Sequence, residues 1–124
     1  MSNTKATGTC HCGAVKIEIP FEGEFKETSR CDCSYCSRRW AVTTNANVDD
    51  LKVLEGQDKL SLYQWGTKTA KHYFCSICGI YTHHQRRSDP TKYGVNIACF
   101  DGVNVRDYID VEYSDGINHS CDQK

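Results

Sequence analysis

Cys75-Ser76-Ile77-Cys78-Gly79 is the stretch that decides how this chain folds. Two thiols three positions apart, followed at once by glycine, read as a metal-binding knuckle. Glycine after the pair can take positive φ, which turns backbone N–H groups toward the sulfurs. Cys10-His11-Cys12-Gly13 repeats the style with a tighter pair and again a following glycine. Together the two pairs supply the four thiolates of a closed tetrahedral zinc site. Such a site ties the N-terminal strand to the middle of the chain, and ligation then contributes directly to folding.

Strand patterns surround these pairs. Val15, Ile17 and Ile19 alternate with Lys16 and Glu18, and Pro20 closes the run. Leu60 to Trp65 is rich in strand formers and stops at Gly66-Thr67; Thr69 to Phe74 reads as its hairpin partner, with Ala70, His72 and Phe74 on one face. Ile80 to Gln85, Tyr93 to Ala98 (Val95 and Ile97 on one face) and Val105 to Tyr113 (Val105, Ile109 and Val111 on one face) complete the period-two set. No long helical stripe is present. One helical turn is expected after Ser34, and another over Asp49 to Leu51 with Asn47 as its cap. The expectation is one mostly β domain of short strands, stapled by metal, with a polar tail from Ser114 that frays.

A third cluster, Cys31-Asp32-Cys33-Ser34-Tyr35-Cys36, puts three cysteines within six residues. Three protein ligands and one open position is the plan of a catalytic zinc, so Cys31, Cys33 and Cys36 are the candidate catalytic residues. Cys99 is the competing fourth ligand; if it closes the site, the second zinc is structural too. Three thiolates around a divalent zinc leave one net negative charge, and a substrate thiolate makes it two. Arg30, Arg38 and Arg39 flank the cluster and are placed to offset that charge. Three ligands also hold metal less tightly than four, so this site is expected to be the less fully occupied.

Composition limits the function classes. The chain has 124 residues, enough for one domain with a modest core. A net charge of -1 argues against a general nucleic-acid binder. No apolar run approaches the roughly 18 residues that cross a bilayer. Nine cysteines could serve a secreted disulfide scaffold, but that reading calls for a signal peptide and an even count. Met1 to Gly8 is polar and does not read as a signal peptide. The expectation is a cytoplasmic metal protein.

Three stretches carry a resemblance: Gly8-Thr9-Cys10-His11-Cys12-Gly13-Ala14-Val15, Cys31-Asp32-Cys33-Ser34-Tyr35-Cys36, and His72-Tyr73-Phe74-Cys75-Ser76-Ile77-Cys78-Gly79. In this order they resemble the glutathione-dependent formaldehyde-activating enzyme family, which also includes centromere protein V. The later residues Arg87-Ser88-Asp89-Pro90 and Tyr93-Gly94-Val95-Asn96 are similar to the centromere protein V branch. The resemblance spans residues 6–113 and leaves 114–124 as a tail. It implies two zinc ions, a structural one on Cys10, Cys12, Cys75 and Cys78 and a catalytic one on Cys31, Cys33 and Cys36. It implies a barrel-like assembly of coiled β-sheets. It also implies a carbon–sulfur lyase-type reaction between glutathione and formaldehyde, giving S-hydroxymethylglutathione. The alternative is a non-catalytic zinc module that binds a protein partner, both metals being structural.

Other residues are weighed on the same terms. Arg86 and Arg87 are candidates for the two carboxylates of glutathione. His83 and His84 point to opposite faces of a strand, so at most one lines a pocket. His72 is a candidate for a hydrogen bond to a zinc thiolate or for plain packing. His11 should point outward, Tyr35 should wall the site or pack, and Cys121 should be a free thiol in the tail.

Overall fold

The structure is a computed structural model that describes residues 4–116. Cys121 and the rest of the expected tail beyond 116 lie outside the described residues. Among the described residues ten strands form: β1 (Lys5–Thr9), β2 (Lys16–Pro20), β3 (Ser29–Cys31), β4 (Thr43–Asn47), β5 (Lys52–Glu55), β6 (Leu60–Tyr63), β7 (Lys71–Cys75), β8 (Tyr81–Gln85), β9 (Lys92–Asn96) and β10 (Glu112–Ser114). One α-helix, α1 (Ser34–Arg39), interrupts them at the turn expected after Ser34. The mostly β reading holds.

The strands make two sheets, β1-β2-β5 and β10-β3-β4-β9-β8-β7-β6. Neither closes on itself, which corrects the barrel-like assembly implied by the resemblance. The seven-stranded sheet ends at β10 on one side and β6 on the other, and these edges do not meet. What holds the two sheets together is a shared core. Ile17 and Ile19 from β2 pack with Ala46 from β4, Val95 from β9, Leu51 and Phe100. Ile17 and Val95 are fully buried, and burying an isoleucine side chain contributes about 1.5–3 kcal/mol. Cys10 and Cys75 sit in the same core, so the knuckle sulfurs emerge from its edge.

Several segments depart from the expectation. Val105 to Tyr113 is not one strand: a 3-10 turn covers Val105–Tyr108, only Glu112–Ser114 pairs, and Val105 and Ile109 are exposed. The side chain of Asn104 accepts from Arg106 N–H, which starts the turn, and Asp107 falls inside it. Residues 49–51 form a turn closed by N–H groups of Asp50 and Leu51 on the Asn47 carbonyl, with no helix. β9 ends at Asn96, whose side chain accepts from Ala98 N–H and opens a short turn; Val95 and Ile97 are nonetheless both buried. Ser114 is paired rather than loose. β10 runs parallel to β3, Asp32 N–H donates to the Ser114 carbonyl, and Gly116 is buried. No helix among the described residues is long and apolar enough to cross a membrane.

Candidate metal centres and the cleft between them

The two glycine-closed pairs fold alike. Cys10 N–H donates to the Val15 carbonyl and Cys75 N–H to the Ile80 carbonyl, each spanning five residues. Gly13 and Gly79 then take φ of +83° and +82°, a conformation that costs other residues but not glycine. Nothing lies within 4 Å of where a Cβ would sit at either position, so φ and not space demands the glycine. The turns aim N–H groups at sulfur as expected: Val15 N–H at Cys10 Sγ (3.3 Å) and Ile77 N–H at Cys75 Sγ (3.3 Å).

Because β1 and β7 end at the same edge of the core, the two knuckles meet. The sulfurs of Cys10, Cys12, Cys75 and Cys78 all lie within 4.8 Å of one another. Cys10 and Cys12 sulfurs are 3.6 Å apart, and those of Cys12 and Cys75 3.7 Å. Tetrahedral zinc with Zn–S bonds of about 2.3 Å requires edges of about 3.8 Å. The donor set therefore fits zinc in number, softness and spacing. The backbone N–H of Cys12 on its sulfur brings the Cys78 thiol down to about 6, while the neighbouring sulfurs push Cys12 up to about 11.

The second group is Cys31, Cys33 and Cys36, again with all sulfurs within 4.8 Å. Cys31 ends β3, and Cys33 caps α1, its sulfur accepting from Cys36 N–H at 3.3 Å. Hydrogen bonds from Cys31 and then Cys36 hold the Cys33 thiol far below its ordinary value, while Cys36 and Cys31 are pushed up. Without a cation the trio thus shares one negative charge; three thiolates need a metal. These three could hold a metal ion with a position left over.

Cys99 does not fill that position. It is buried in the core with Cys10 and Cys75, and its thiol donates to the Tyr81 carbonyl. Burial pushes it up to about 12, as for a small apolar side chain. The strap Ser114–Gly116 covers the group from one side. Gly116 N–H donates to Asp32 Oδ1 at 2.7 Å, and a Cβ on Gly116 would stand 2.5 Å from Cys33 Cβ and 2.6 Å from Cys31 Sγ.

Cys33 and Cys36 border a cleft of about 150 Å³, whose rim includes Ser114 and Asp115 of the strap. Trp65, His72, His84, Arg86 and Arg87 line it beside Cys33 and Cys36. Of the histidine pair, His84 faces this cleft. His83 lies on the opposite face, stacked on Tyr73 and edge-on to Tyr93. Tyr35 packs against rings of this region, 4.7 Å from that of His72 and 5.1 Å from that of Tyr63. His11 is exposed, as its place between two ligands suggests.

Of the three flanking arginines, only Arg39 reaches the cluster. Its Nη2 donates to Cys36 Sγ at 3.3 Å, and its guanidinium lies 3.7 Å from the Tyr81 ring centroid and 4.5 Å from that of Tyr35. Its Nε is buried with no hydrogen-bond partner. A cation so placed requires a nearby anion, and the anion at hand is the thiolate group. Arg30 stacks on Trp40 and donates to the Tyr108 carbonyl, and Arg38 is exposed and bonds the Ser34 carbonyl. Arg86 donates to Asn45 and Thr43 across β4. The spacing of residues had not singled out that Arg39 alone turns inward.

A profile described as glutathione-dependent formaldehyde-activating enzyme matches residues 5–113. The chain belongs to the glutathione-dependent formaldehyde-activating enzyme family. A crystal structure of a Rhodobacter sphaeroides protein is similar at 55% identity and a TM-score of 0.82, over 90% of this chain and 100% of that one. Membership in the formaldehyde-activating enzyme family agrees with two cysteine groups of different completeness, one of them beside a cleft.

Proposed function

We propose that the three-cysteine group is the catalytic centre of a zinc-dependent carbon–sulfur lyase-type enzyme, and the four-cysteine group a structural zinc site. The reaction is the joining of a thiol and an aldehyde, glutathione and formaldehyde giving S-hydroxymethylglutathione, and its reverse. One observation carries this reading: Gly116 closes over Cys31 and Cys33, Cys33 and Cys36 border a cleft, and Cys99 lies elsewhere. Zinc on three thiolates supplies a Lewis acid that lowers the pKa of a bound thiol and so provides a thiolate at neutral pH.

The chain's own residues prepare that site. Arg39 offsets the charge that a further thiolate brings, and it does so half-buried between the Tyr35 and Tyr81 rings, where water screens it less than at an exposed site. Trp65 forms one wall of the cleft, and the ring of Tyr35 holds His72 in place. Arg86 is committed to the sheet, which leaves Arg87 on the cleft rim to take a substrate carboxylate. The proposed setting is the cytoplasm, where thiols stay reduced.

Exchange NMR with labelled formaldehyde and glutathione tests the proposal. Zinc-loaded protein should speed adduct exchange at least tenfold, and the Cys33→Ser variant should not. Equal rates with and without the protein sink the enzyme reading and favour a purely structural pair of zinc sites.

A further inference from the structure

We propose that His72 donates a hydrogen bond from Nε2 to the oxygen of the thiol–aldehyde adduct, and that Arg39 positions it to do so. The inference rests on the three-cysteine group being catalytic, and it adds the group that meets the aldehyde oxygen.

The tautomer follows from the contact. Arg39 Nη1 lies 3.2 Å from His72 Nδ1. A guanidinium has donors only, so Nδ1 must accept and the ring proton sits on Nε2. Arg39 cannot turn to another task. Tyr81 and Tyr35 hold its plane, and Cys36 Sγ takes its other terminal nitrogen. His72 is fixed as firmly: Tyr35 meets it edge-on, and His84 stacks on it with ring centroids 5.0 Å apart. Its remaining nitrogen belongs to a ring that lines the cleft beside Cys33 and Cys36. Burial, then the charge of Arg39, pushes its pKa down to about 4, so the imidazole stays neutral.

His84 is less suited to the role. Tyr81 Oη donates its one proton to the Gly94 carbonyl, so His84 Nδ1–H donates to that oxygen at 2.6 Å, and the ring is tied into the sheet. Arg87 carries a planar guanidinium suited to a carboxylate.

A neutral N–H donor matches the electron flow of the addition. The sulfur lone pair forms the C–S bond at the aldehyde carbon. The C=O π pair moves onto oxygen, where His72 Nε2–H meets the developing charge. The thiol's proton, lost to water when the thiolate forms, returns from water to that oxygen. His72 keeps its own proton, and the sum is RSH plus aldehyde giving the hydroxyalkyl thioether.

Two measurements on the zinc-loaded protein test this. Long-range ¹H–¹⁵N correlation at pH 7 should show His72 as the Nε2–H tautomer, and Arg39→Met should convert it to a tautomer mixture. For adduct formation, His72→Phe should lower kcat about 100-fold, with KM for the thiol changed less than about twofold; His72→Gln, which keeps an amide donor, should restore about tenfold of that loss. An Nδ1–H tautomer in the parent protein, or unchanged kcat in His72→Phe, overturns the proposal. If His72→Phe does not fold, the parent spectrum and His72→Gln decide: Nε2–H with a kcat loss near tenfold upholds it, and anything else overturns it. A zinc-loaded parent without activity overturns the enzyme reading and the donor role with it, whereas the spectrum still reports whether Arg39 sets the tautomer.

Discussion

The four-cysteine and three-cysteine groups offer the same thiol chemistry in opposite settings. The first joins two distant turns, at residues 10–13 and 75–79, and its sulfurs reach into the core through Cys10 and Cys75. The second lies within six residues of one loop and one helix start, closes nothing distant by itself, and opens on a cleft. Ligands far apart in sequence restrict the unfolded chain and stabilise a fold. Ligands close together restrict little, and such a site can be kept incomplete.

The largest expected effect breaks this contrast at the fold. Cys75→Ser should lose one zinc and more than about 5 kcal/mol, enough to abolish cooperative unfolding in a thermal melt. Cys33→Ser should also lose one zinc yet keep its melt within about 2 kcal/mol of the parent, a cap's worth of stability. Equal damage from both variants contradicts the division of roles.

Acid sharpens the comparison by separating metal release from opening of the sheet. Burial pushes His83 down to about 4, from an ordinary value near 6.5, and it touches neither cluster. The neutral ring is the folded form. Its contribution is therefore complete above pH 6.5 and falls by roughly 3 kcal/mol as pH drops to about 4. His83→Phe should flatten this limb of stability against pH while leaving the pH of zinc release unchanged. An unaltered limb contradicts the assignment.

Gly116→Ala perturbs only the open group. Its Cβ would collide with Cys33 Cβ and Cys31 Sγ, so the strap must shift, at about 1–3 kcal/mol. A chelator competition should show weaker zinc at one site of two. The smallest effect is expected from Cys99→Ser, which should keep both zincs and cost about 1–2 kcal/mol for a hydroxyl in the core. Loss of a zinc in that variant reopens Cys99 as a ligand.

The cysteine groups were legible because ligand geometry is local: the spacing and the glycines at 13 and 79 specify the knuckles almost alone. β2, β7 and β8 were legible from alternation. β4 was not, since Thr43-Thr44-Asn45-Ala46-Asn47 has polar residues where a central strand usually carries aliphatics. Its polar side chains find partners that only the fold supplies, Arg86 on Asn45 and the Lys26 carbonyl on Thr44. β1 and β3 are hidden for the same reason, being short and polar. Val105, Ile109 and Val111 read like a strand, but only Glu112–Ser114 reaches the sheet edge at β3, and Val105–Tyr108 takes a turn. Nor could spacing tell that Ser114–Gly116 returns to cover Cys31 and Cys33, because that contact joins residues 84 positions apart.

The central claim is that one cysteine group is complete and the other is open to a thiol. Native mass spectrometry of the full chain, with and without glutathione, tests it most directly. The account predicts two zincs per chain, one glutathione bound on addition, and loss of that glutathione together with one zinc in Cys33→Ser. Two zincs with no glutathione bound at any concentration, or a single zinc in the parent chain under zinc saturation, would contradict it.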